Sequence, residues 1–213
     1  ANDVLFINTD GNTDELESPS IMLADEVRMN GRMIQRKLAW EMFDEIIVEL
    51  EKKENDYKYI ALDLLEDLRE YCRIYIYREM KIDHESDAGF GKAYDRVLSE
   101  YLKFIKRIKS AGYHIIIISK EVEDEVKLKS GGSYTTFKPN LPDKVCNALA
   151  GMVDVTARAF VDSEGKRWLQ LGKEENVFGG GRYNFKVDKC ELSMNALVNE
   201  IKKSQEETGG KNE

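Results

Sequence analysis

The segment KYIALDLLEDL, residues 58–68, contains the pattern that decides the fold. Residues 59–62 are apolar and suit a short buried strand, and a helical pattern begins directly after Asp63. In open parallel sheets, ligands bind beyond the carboxyl ends of the strands, and a carboxylate there can hold Mg²⁺. Asp63 is therefore a candidate metal ligand, although an aspartate at this position could equally cap the helix that follows.

Strands and helices alternate over the first 119 residues. The periodicity predicts three strands and three helices: strands at 4–7, 58–62 and 113–119, and helices over 35–53, 64–79 and 93–110. Alternation of this kind is typical of a parallel sheet covered by helices. In the ambiguous segment 21–34, Asn30 and Gly31 could turn a hairpin.

The pattern changes after residue 119. Residues 120–140 predict a long polar loop, followed by a short helix over 142–150. Two apolar segments, 152–162 and 167–172, predict an antiparallel pair, and residues 190–204 predict a last helix. We therefore expect an α/β fold: one domain over 1–204, mostly parallel with a small antiparallel extension, and a disordered tail over 205–213.

Composition limits the classes of function. The chain has 213 residues, a net charge of −8 and a pI of about 5.1. This acidity argues against broad electrostatic binding to nucleic acid, although a local basic loop could still bind. Three widely separated cysteines favour reduced thiols over a disulfide framework. No apolar stretch approaches the ~20 residues of a membrane span, so we expect a cytoplasmic protein without a membrane partner.

Two further strand ends carry polar side chains at the same predicted edge of the sheet. Asp10 follows the first strand and could activate a water that attacks a phosphate; alternatively, it is a turn residue before Gly11. Ser119 and Lys120 follow the strand 113–119 and could sense a γ-phosphate, although a lysine after a strand is often only solvated.

The segment 121–140 combines basic and aromatic side chains. Lysines that bind phosphate, together with aromatic rings that stack on bases, suit single-stranded nucleic acid. The alternative is an ordinary surface loop. The candidate contacts with single-stranded DNA are Lys127, Lys129, Tyr134 and Lys138.

Arg182 follows three consecutive glycines. Glycines let a backbone approach a ligand closely, and the arginine could reach the phosphate of a neighbouring subunit as an arginine finger. A flexible turn with a surface arginine explains the same residues.

The chain lacks the loop that normally holds nucleotide phosphates. The sequence GxxxxGK[ST], whose amides and lysine surround the phosphates, occurs nowhere in the 213 residues. The segment GFGKAY, residues 89–94, has Ala93 where Ser or Thr is required, and no strand precedes it.

Several long runs resemble one family. VLFINTDGN (4–12), HIIIISKE (114–121) and FGGGR (178–182) look like phage-encoded, RecA-like P-loop ATPases, the phage nucleotide-binding proteins related to single-strand-annealing recombinases. The resemblance spans about residues 4–182 and implies a RecA-like fold without its first strand–Walker A–helix unit. It also implies that Asp63 is the Walker B aspartate, that Asp10 is the water-activating carboxylate and that Ser119 ends the sensor strand.

The resemblance implies a Mg²⁺- and ATP-dependent ATPase that acts with single-stranded DNA in phage recombination or replication. We expect ATP and Mg²⁺ as cofactors, a homo-oligomer, and location in the cytoplasm of the bacterial host. Without a Walker A loop, this chain is expected to bind ATP weakly. Two alternatives stay open: a non-catalytic DNA-binding or scaffold protein on a degenerate ATPase fold, and a metal-dependent nuclease that uses Asp10 and Asp63.

Overall fold

The structure, a computed structural model, describes residues 3–13, 16–89, 91–127, 131–172 and 176–209. The chain forms two compact units, residues 1–120 and 121–213. The first unit contains the predicted parallel strands, and the second contains the antiparallel pair predicted over 152–172. A single domain over 1–204 stays a prediction.

In its described residues, the first unit contains six strands and three α-helices. In chain order they are β1 (Val4–Asn8), β2 (Ser20–Met22), β3 (Glu26–Asn30), β4 (Met33–Lys37), α1 (Ala39–Glu51), β5 (Tyr59–Asp63), α2 (Leu65–Met80), α3 (Lys92–Ser110) and β6 (His114–Ile118). A short 3₁₀ helix, Glu85–Ala88, precedes α3.

A four-stranded parallel sheet forms the centre of this unit, in the order β2-β1-β5-β6. In its register Asn8 lies beside Asp63, and Asp63 lies beside Ile118, so three strands end at one edge. The α/β fold class predicted from the sequence is confirmed. β2 was not predicted, because three residues are too few to show a period.

Burial explains why these segments form the core. Ile60 and Leu62 of β5 are almost completely buried, as apolar runs in parallel strands require. Phe104 of α3 contacts Phe43 of α1 and Tyr101 of its own helix, with ring centroids 5.6 and 5.3 Å apart. This aromatic cluster joins the helices that accompany the sheet.

β3 and β4 form an antiparallel hairpin, which confirms the turn signal at Asn30 and Gly31. Gly31 has a φ of +62°, a conformation that favours glycine. The helix predicted to begin at residue 35 begins instead at Ala39, because residues 33–37 belong to β4. Cross-strand pairing therefore overrides the helical spacing at that end.

The described part of the second unit contains seven short strands and two α-helices. They are β7 (Glu121–Lys127), β8 (Ser133–Pro139), α4 (Asp143–Ala150), β9 (Val155–Thr156), β10 (Arg158–Val161), β11 (Arg167–Gln170), β12 (Gly180–Gly181), β13 (Lys189–Glu191) and α5 (Met194–Gly209).

The prediction of a polar loop over 120–140 is wrong. β7 and β8 pair antiparallel over seven positions, from Glu121 beside Pro139 to Lys127 beside Ser133. Val122 and Val126 alternate with acidic residues on β7, and Thr135 and Phe137 are good strand formers on β8. Because most side chains of β7 are charged, the hydrophobic pattern does not show this alternation with a period of two.

The antiparallel extension predicted near the C-terminus is present as the sheet β10-β11-β13. The last helix, α5, begins at Met194 and continues to Gly209, into the segment predicted as a disordered tail. Gln205 and Glu206 are good helix formers, which explains the extension. All three cysteines are buried free thiols, as the sequence predicted.

Candidate functional site

The carboxyl edge of the parallel sheet brings Asp10 and Asp63 into one region. β1 and β5 are adjacent and parallel, and Asn8 is the register partner of Asp63. Asp10 lies two residues beyond the end of β1, close enough for its charge to act on Asp63. Adjacent parallel strands place their carboxyl ends together, which is the reason the two carboxylates converge.

Thr9 ties the ends of these two strands together. Its N–H donates to the Asp63 carbonyl at 2.7 Å, and its Oγ1 accepts from the Leu64 N–H at 2.8 Å. The hydroxyl proton can reach either the Asp63 carbonyl, at 3.2 Å, or Asp67 Oδ2, at 3.1 Å. Thr9 is 7% exposed, so these bonds form away from water and fix the two strand ends relative to each other.

Asn8 shapes the loop that carries Asp10. Its Oδ1 accepts from the N–H groups of Asp10 and Gly11, at 3.1 and 3.2 Å, and its Nδ2 donates to Thr13 Oγ1 at 2.8 Å. Asp10 in turn accepts from both the backbone N–H and the side-chain amide of Asn12. Asp10 is therefore a turn residue in this structure, and the turn presents its carboxylate at the sheet edge.

Asp63 does not cap the helix that follows it. The N-cap of α2 is Leu64, and no side-chain cap bond forms there. Asp63 Oδ1 is buried, and so is Glu66 Oε2; neither has a hydrogen-bond partner among the described residues. Two buried carboxylate oxygens without partners at one edge indicate a place where a cation would find ready ligands.

The charges at this edge act on Asp63. Burial raises the pKa of Asp63, and the nearby carboxylates of Asp10, Glu66 and Asp67 raise it further, while Lys120 lowers it. We call Asp10, Asp63, Glu66 and Asp67 the carboxyl-edge cluster. Burial and like charge both disfavour the ionised form of Asp63, and a bound cation would relieve both effects.

Ser119 and Lys120 follow β6 at the same edge. The Lys120 N–H donates to Glu66 Oε1 at 3.0 Å, and Ser119 Oγ donates to the Lys120 carbonyl at 3.3 Å. The backbone of Lys120 therefore positions Glu66, while its ammonium adds the positive charge that acts on Asp63. The structure places these two residues beside the carboxyl-edge cluster.

The donor set fits Mg²⁺ but not a complete nucleotide site. Mg²⁺ in phosphate sites commonly takes one or two carboxylates and fills its other positions with water and phosphate oxygens; Asp63 and Glu66 offer such oxygens. Among the described residues, no group of three His, Cys, Asp or Glu side chains is placed to hold a metal ion by itself. The phosphate loop GxxxxGK[ST] is also missing from the sequence.

Three of the candidate DNA contacts, Lys127, Tyr134 and Lys138, belong to the β7–β8 hairpin of the second unit. Lys127 and Tyr134 are exposed. They lie at the same end of the hairpin, where Lys127 is paired with Ser133 and Tyr134 is paired with Val126. Lys138 is held in ion pairs with Asp124 and Asp143, at 2.6 and 2.8 Å. Lys129 lies outside the described residues.

Arg182 is also in the second unit, where the glycine directly before it has a structural explanation. A Cβ on Gly181 would lie 2.4 Å from the Asp154 carbonyl oxygen, because β12 and β9 approach closely. The Arg182 guanidinium forms an ion pair with the Asp154 carboxylate at 3.1 Å and remains more than half exposed. Gly181 is therefore required by this backbone contact whether or not Arg182 also binds a phosphate.

Sequence reasoning missed the buried polar residues that build the site. Asn8, Thr9 and Thr13 are 1%, 7% and 5% exposed. The signal in the sequence is weak: Asn and Thr after a strand usually indicate only a turn. Their cross-strand bonds are visible only in the folded chain.

A comparison with protein-family models identifies the family of the chain. A family model described as an AAA domain matches residues 1–183, a range that includes Asp10, Asp63 and Arg182. No curated protein matches the chain. Among the described residues, no helix combines the length and the apolar character needed to cross a membrane.

Proposed function

Because the chain belongs to the AAA domain family, a family of nucleotide-binding, ATPase-like proteins, we propose that it supplies the metal-binding and water-activating side of a Mg²⁺-ATP site. The single observation that carries this proposal is the meeting of Asp10 and Asp63 at the carboxyl edge of adjacent parallel strands. The full activity we propose is ATP hydrolysis coupled to single-stranded DNA, in phage recombination or replication.

Each residue of the edge has a task in this proposal. Asp63, with help from Glu66, would hold Mg²⁺, which neutralises charge on the phosphates when it is bound. Asp10 would orient the attacking water and accept its proton. Thr9 and Asn8 keep the two carboxylates in position through their bonds across and beyond the strand ends. Phosphoryl transfer depends mainly on positioning and charge neutralisation, so this rigid placement matters most.

The phosphate loop must come from another segment of polypeptide, and β6 offers the place for it. β6 pairs only with β5 in the described sheet, although it is the most apolar strand of the chain. Its last residue, Ile118, is 37% exposed, which is unusual for a strand of this composition in a parallel sheet. We propose that a strand carrying GxxxxGK[ST] pairs with the free edge of β6, next to Ser119.

Single-stranded DNA would contact the β7–β8 hairpin through Lys127 and Tyr134. Tyr134 is 39% exposed and can stack on a base. β7 contributes four carboxylates, at positions 121, 123, 124 and 125, and Lys138 is already paired with acids. The expected binding is therefore weak and strongly dependent on salt.

A non-catalytic DNA-binding or scaffold protein is the second candidate. The observation that favours it is the lack of GxxxxGK[ST] in all 213 residues. The nuclease alternative has less support, because the described residues contain no three-ligand metal group. DNA cleavage that requires Mg²⁺ but no nucleotide would restore it.

Equilibrium binding of a fluorescent ATP analogue, with and without Mg²⁺, tests the proposal. Two forms are compared: the chain alone, and the chain extended by the codons that precede Ala1 in its gene. If the extension supplies GxxxxGK[ST], we expect it to bind and hydrolyse ATP. In the extended form, Asp63→Asn should remove the dependence of binding on Mg²⁺, and Asp10→Asn should keep binding but slow hydrolysis at least ~100-fold.

The matched control is Asp56→Asn, which removes one exposed carboxylate from the turn before β5. It should leave binding and hydrolysis unchanged. An extended chain that contains the phosphate loop and still binds no nucleotide would refute the proposal. Equal losses in the Asp10, Asp63 and Asp56 variants would show that general charge, and not the sheet edge, is responsible.

A further inference from the structure

The two faces of the β7–β8 hairpin differ in charge. Successive side chains of a strand point to opposite faces, and Asp124 of β7 is the register partner of Thr136 of β8. We call one face the Tyr134 face, and its side chains are those of Val122, Asp124, Val126, Tyr134, Thr136 and Lys138. The three other carboxylates of β7, at positions 121, 123 and 125, lie on the opposite face together with Lys127. Within these strand pairs, Asp124 is therefore the one acidic side chain of the Tyr134 face.

The Tyr134 face has two of the features that single-stranded DNA requires. An aromatic ring can stack on a base, and a lysine can bind a phosphate. Tyr134 is 39% exposed, and Lys138 lies further along the same strand, at about 13 Å for a rise of ~3.3 Å per residue, so one DNA strand can reach both. On the opposite face, Glu121 forms an ion pair with Arg158, whose guanidinium lies 4.0 Å from the centre of the Phe137 ring. The chain itself therefore covers part of that face.

The positive charge of Lys138 is already engaged within the chain. Its ammonium nitrogen forms ion pairs with the carboxylates of Asp124 and Asp143, at 2.6 and 2.8 Å. These contacts take up two of the three N–H donors of an ammonium group. Hydrogen bonds to both carboxylates raise the pKa of Lys138, and the bond from Lys138 lowers the pKa of Asp124. One positive charge lies between two negative charges, so the group as a whole repels a phosphate.

Asp124 lies in the path of a DNA strand that follows the Tyr134 face. Because Asp124 is paired with Thr136, it lies between Tyr134 and Lys138 on their common face. A strand that stacks on Tyr134 and continues toward Lys138 therefore passes over the Asp124 carboxylate. Carboxylates and phosphates both bind an ammonium through charge-assisted hydrogen bonds, so the two anions require the same donors of Lys138.

We propose that Asp124 competes with DNA phosphates for Lys138 and thereby keeps the Tyr134 face in a weakly binding state. A phosphate that binds Lys138 must displace the Asp124 carboxylate, which makes this ion pair an autoinhibitory contact. Removal of the Asp124 charge adds one phosphate contact to the face. The inference rests on the proposed contact between the hairpin and single-stranded DNA, but not on the nucleotide site.

Fluorescence anisotropy with a labelled oligothymidylate, in the absence of nucleotide and Mg²⁺, tests the competition. Asp124→Asn should raise the affinity at least ~3-fold at low salt, because the ammonium loses an exposed ion-pair partner. It should also steepen the dependence of log K on log[salt] by about 0.7, the contribution of one phosphate contact to a single strand. Glu123→Gln is the matched control, because it removes the neighbouring exposed charge from the opposite face and should leave that slope unchanged.

Lys138→Gln shows whether the gain acts through Lys138. Alone, it should change the affinity less than ~2-fold, because the paired lysine contributes little to binding; combined with Asp124→Asn, it should abolish the gain. A gain that survives in the double variant would overturn the proposal, as would equal gains from Asp124→Asn and Glu123→Gln. Circular dichroism of each variant checks that the fold is retained.

Tyr134→Ala separates this inference from the proposed DNA contact itself. Weaker binding by Tyr134→Ala, with no gain from Asp124→Asn, would support the contact at the hairpin and refute the competition. No binding by any form of the chain would refute both. A failure of ATP binding would affect neither result, since nucleotide is absent from the assay.

Discussion

Asp63→Asn should stabilise the protein in the absence of metal and nucleotide. In the folded chain, burial and the charges of Asp10, Glu66 and Asp67 raise the pKa of Asp63, which means that its ionised form is disfavoured. An asparagine removes the buried charge and with it the repulsion from Asp10, Glu66 and Asp67. The charge of the residue proposed for metal binding therefore destabilises the fold when no cation is bound.

The sign of the pH dependence follows from linkage. A carboxyl group whose pKa is higher in the folded state binds more protons there than in the unfolded state, so the free energy of unfolding falls as pH rises through that window. The decrease in the free energy of unfolding begins above the ordinary aspartate pKa of about 3.9, and it is complete above the raised pKa of folded Asp63. The advantage of Asp63→Asn should accordingly be greatest near neutral pH and vanish below about pH 4.

The expected gain is modest. Asp63 is only partly buried, so solvent screens the repulsion, and we expect on the order of 0.5–1 kcal/mol at neutral pH. For a chain of this length that gain raises the melting temperature by about 1–4 °C.

Thermal unfolding followed by circular dichroism at neutral and acidic pH measures this gain. Asp56→Asn, which removes an exposed charge from the same unit, should change stability by less than about 0.5 kcal/mol. A lower melting temperature for Asp63→Asn at neutral pH would refute the reasoning, as would a gain that persists unchanged at low pH.

Three further substitutions test the structure. Thr9→Val should cost about 1–3 kcal/mol, because the buried Leu64 N–H loses its acceptor; chemical denaturation measures the loss. Gly181→Ala should destabilise the second unit by about 1–3 kcal/mol, since its Cβ would lie 2.4 Å from a carbonyl oxygen, whereas Gly151→Ala, with its nearest atom at 3.5 Å, should be nearly neutral in the same melts. Phe104→Ala should cost about 3–5 kcal/mol by emptying the aromatic cluster, and a melting temperature close to that of the unmodified chain would contradict the described packing.

The first half of the chain was predictable because its local patterns agree with its fold. The apolar run before Asp63, the helical spacing of α2 and α3 and the run of isoleucines in β6 each have the period of the element they form. Where the local sequence pattern and long-range strand pairing favour different structures, the prediction from the local pattern is wrong. The charges of β7 conceal its alternation, and pairing with β3 converts the start of a predicted helix into β4.

What the sequence by itself determined is the α/β class, the strand that ends at Asp63 and the absence of GxxxxGK[ST], because these depend on residues close together in the chain. Only the tertiary structure decided that Thr9 bridges the ends of β1 and β5, that Asp63 Oδ1 and Glu66 Oε2 are buried without partners among the described residues and that Asp124 pairs with Lys138 across the β7–β8 hairpin. These features depend on which strands become neighbours. Local propensity does not specify that choice, because contacts between residues more than fifty positions apart determine it.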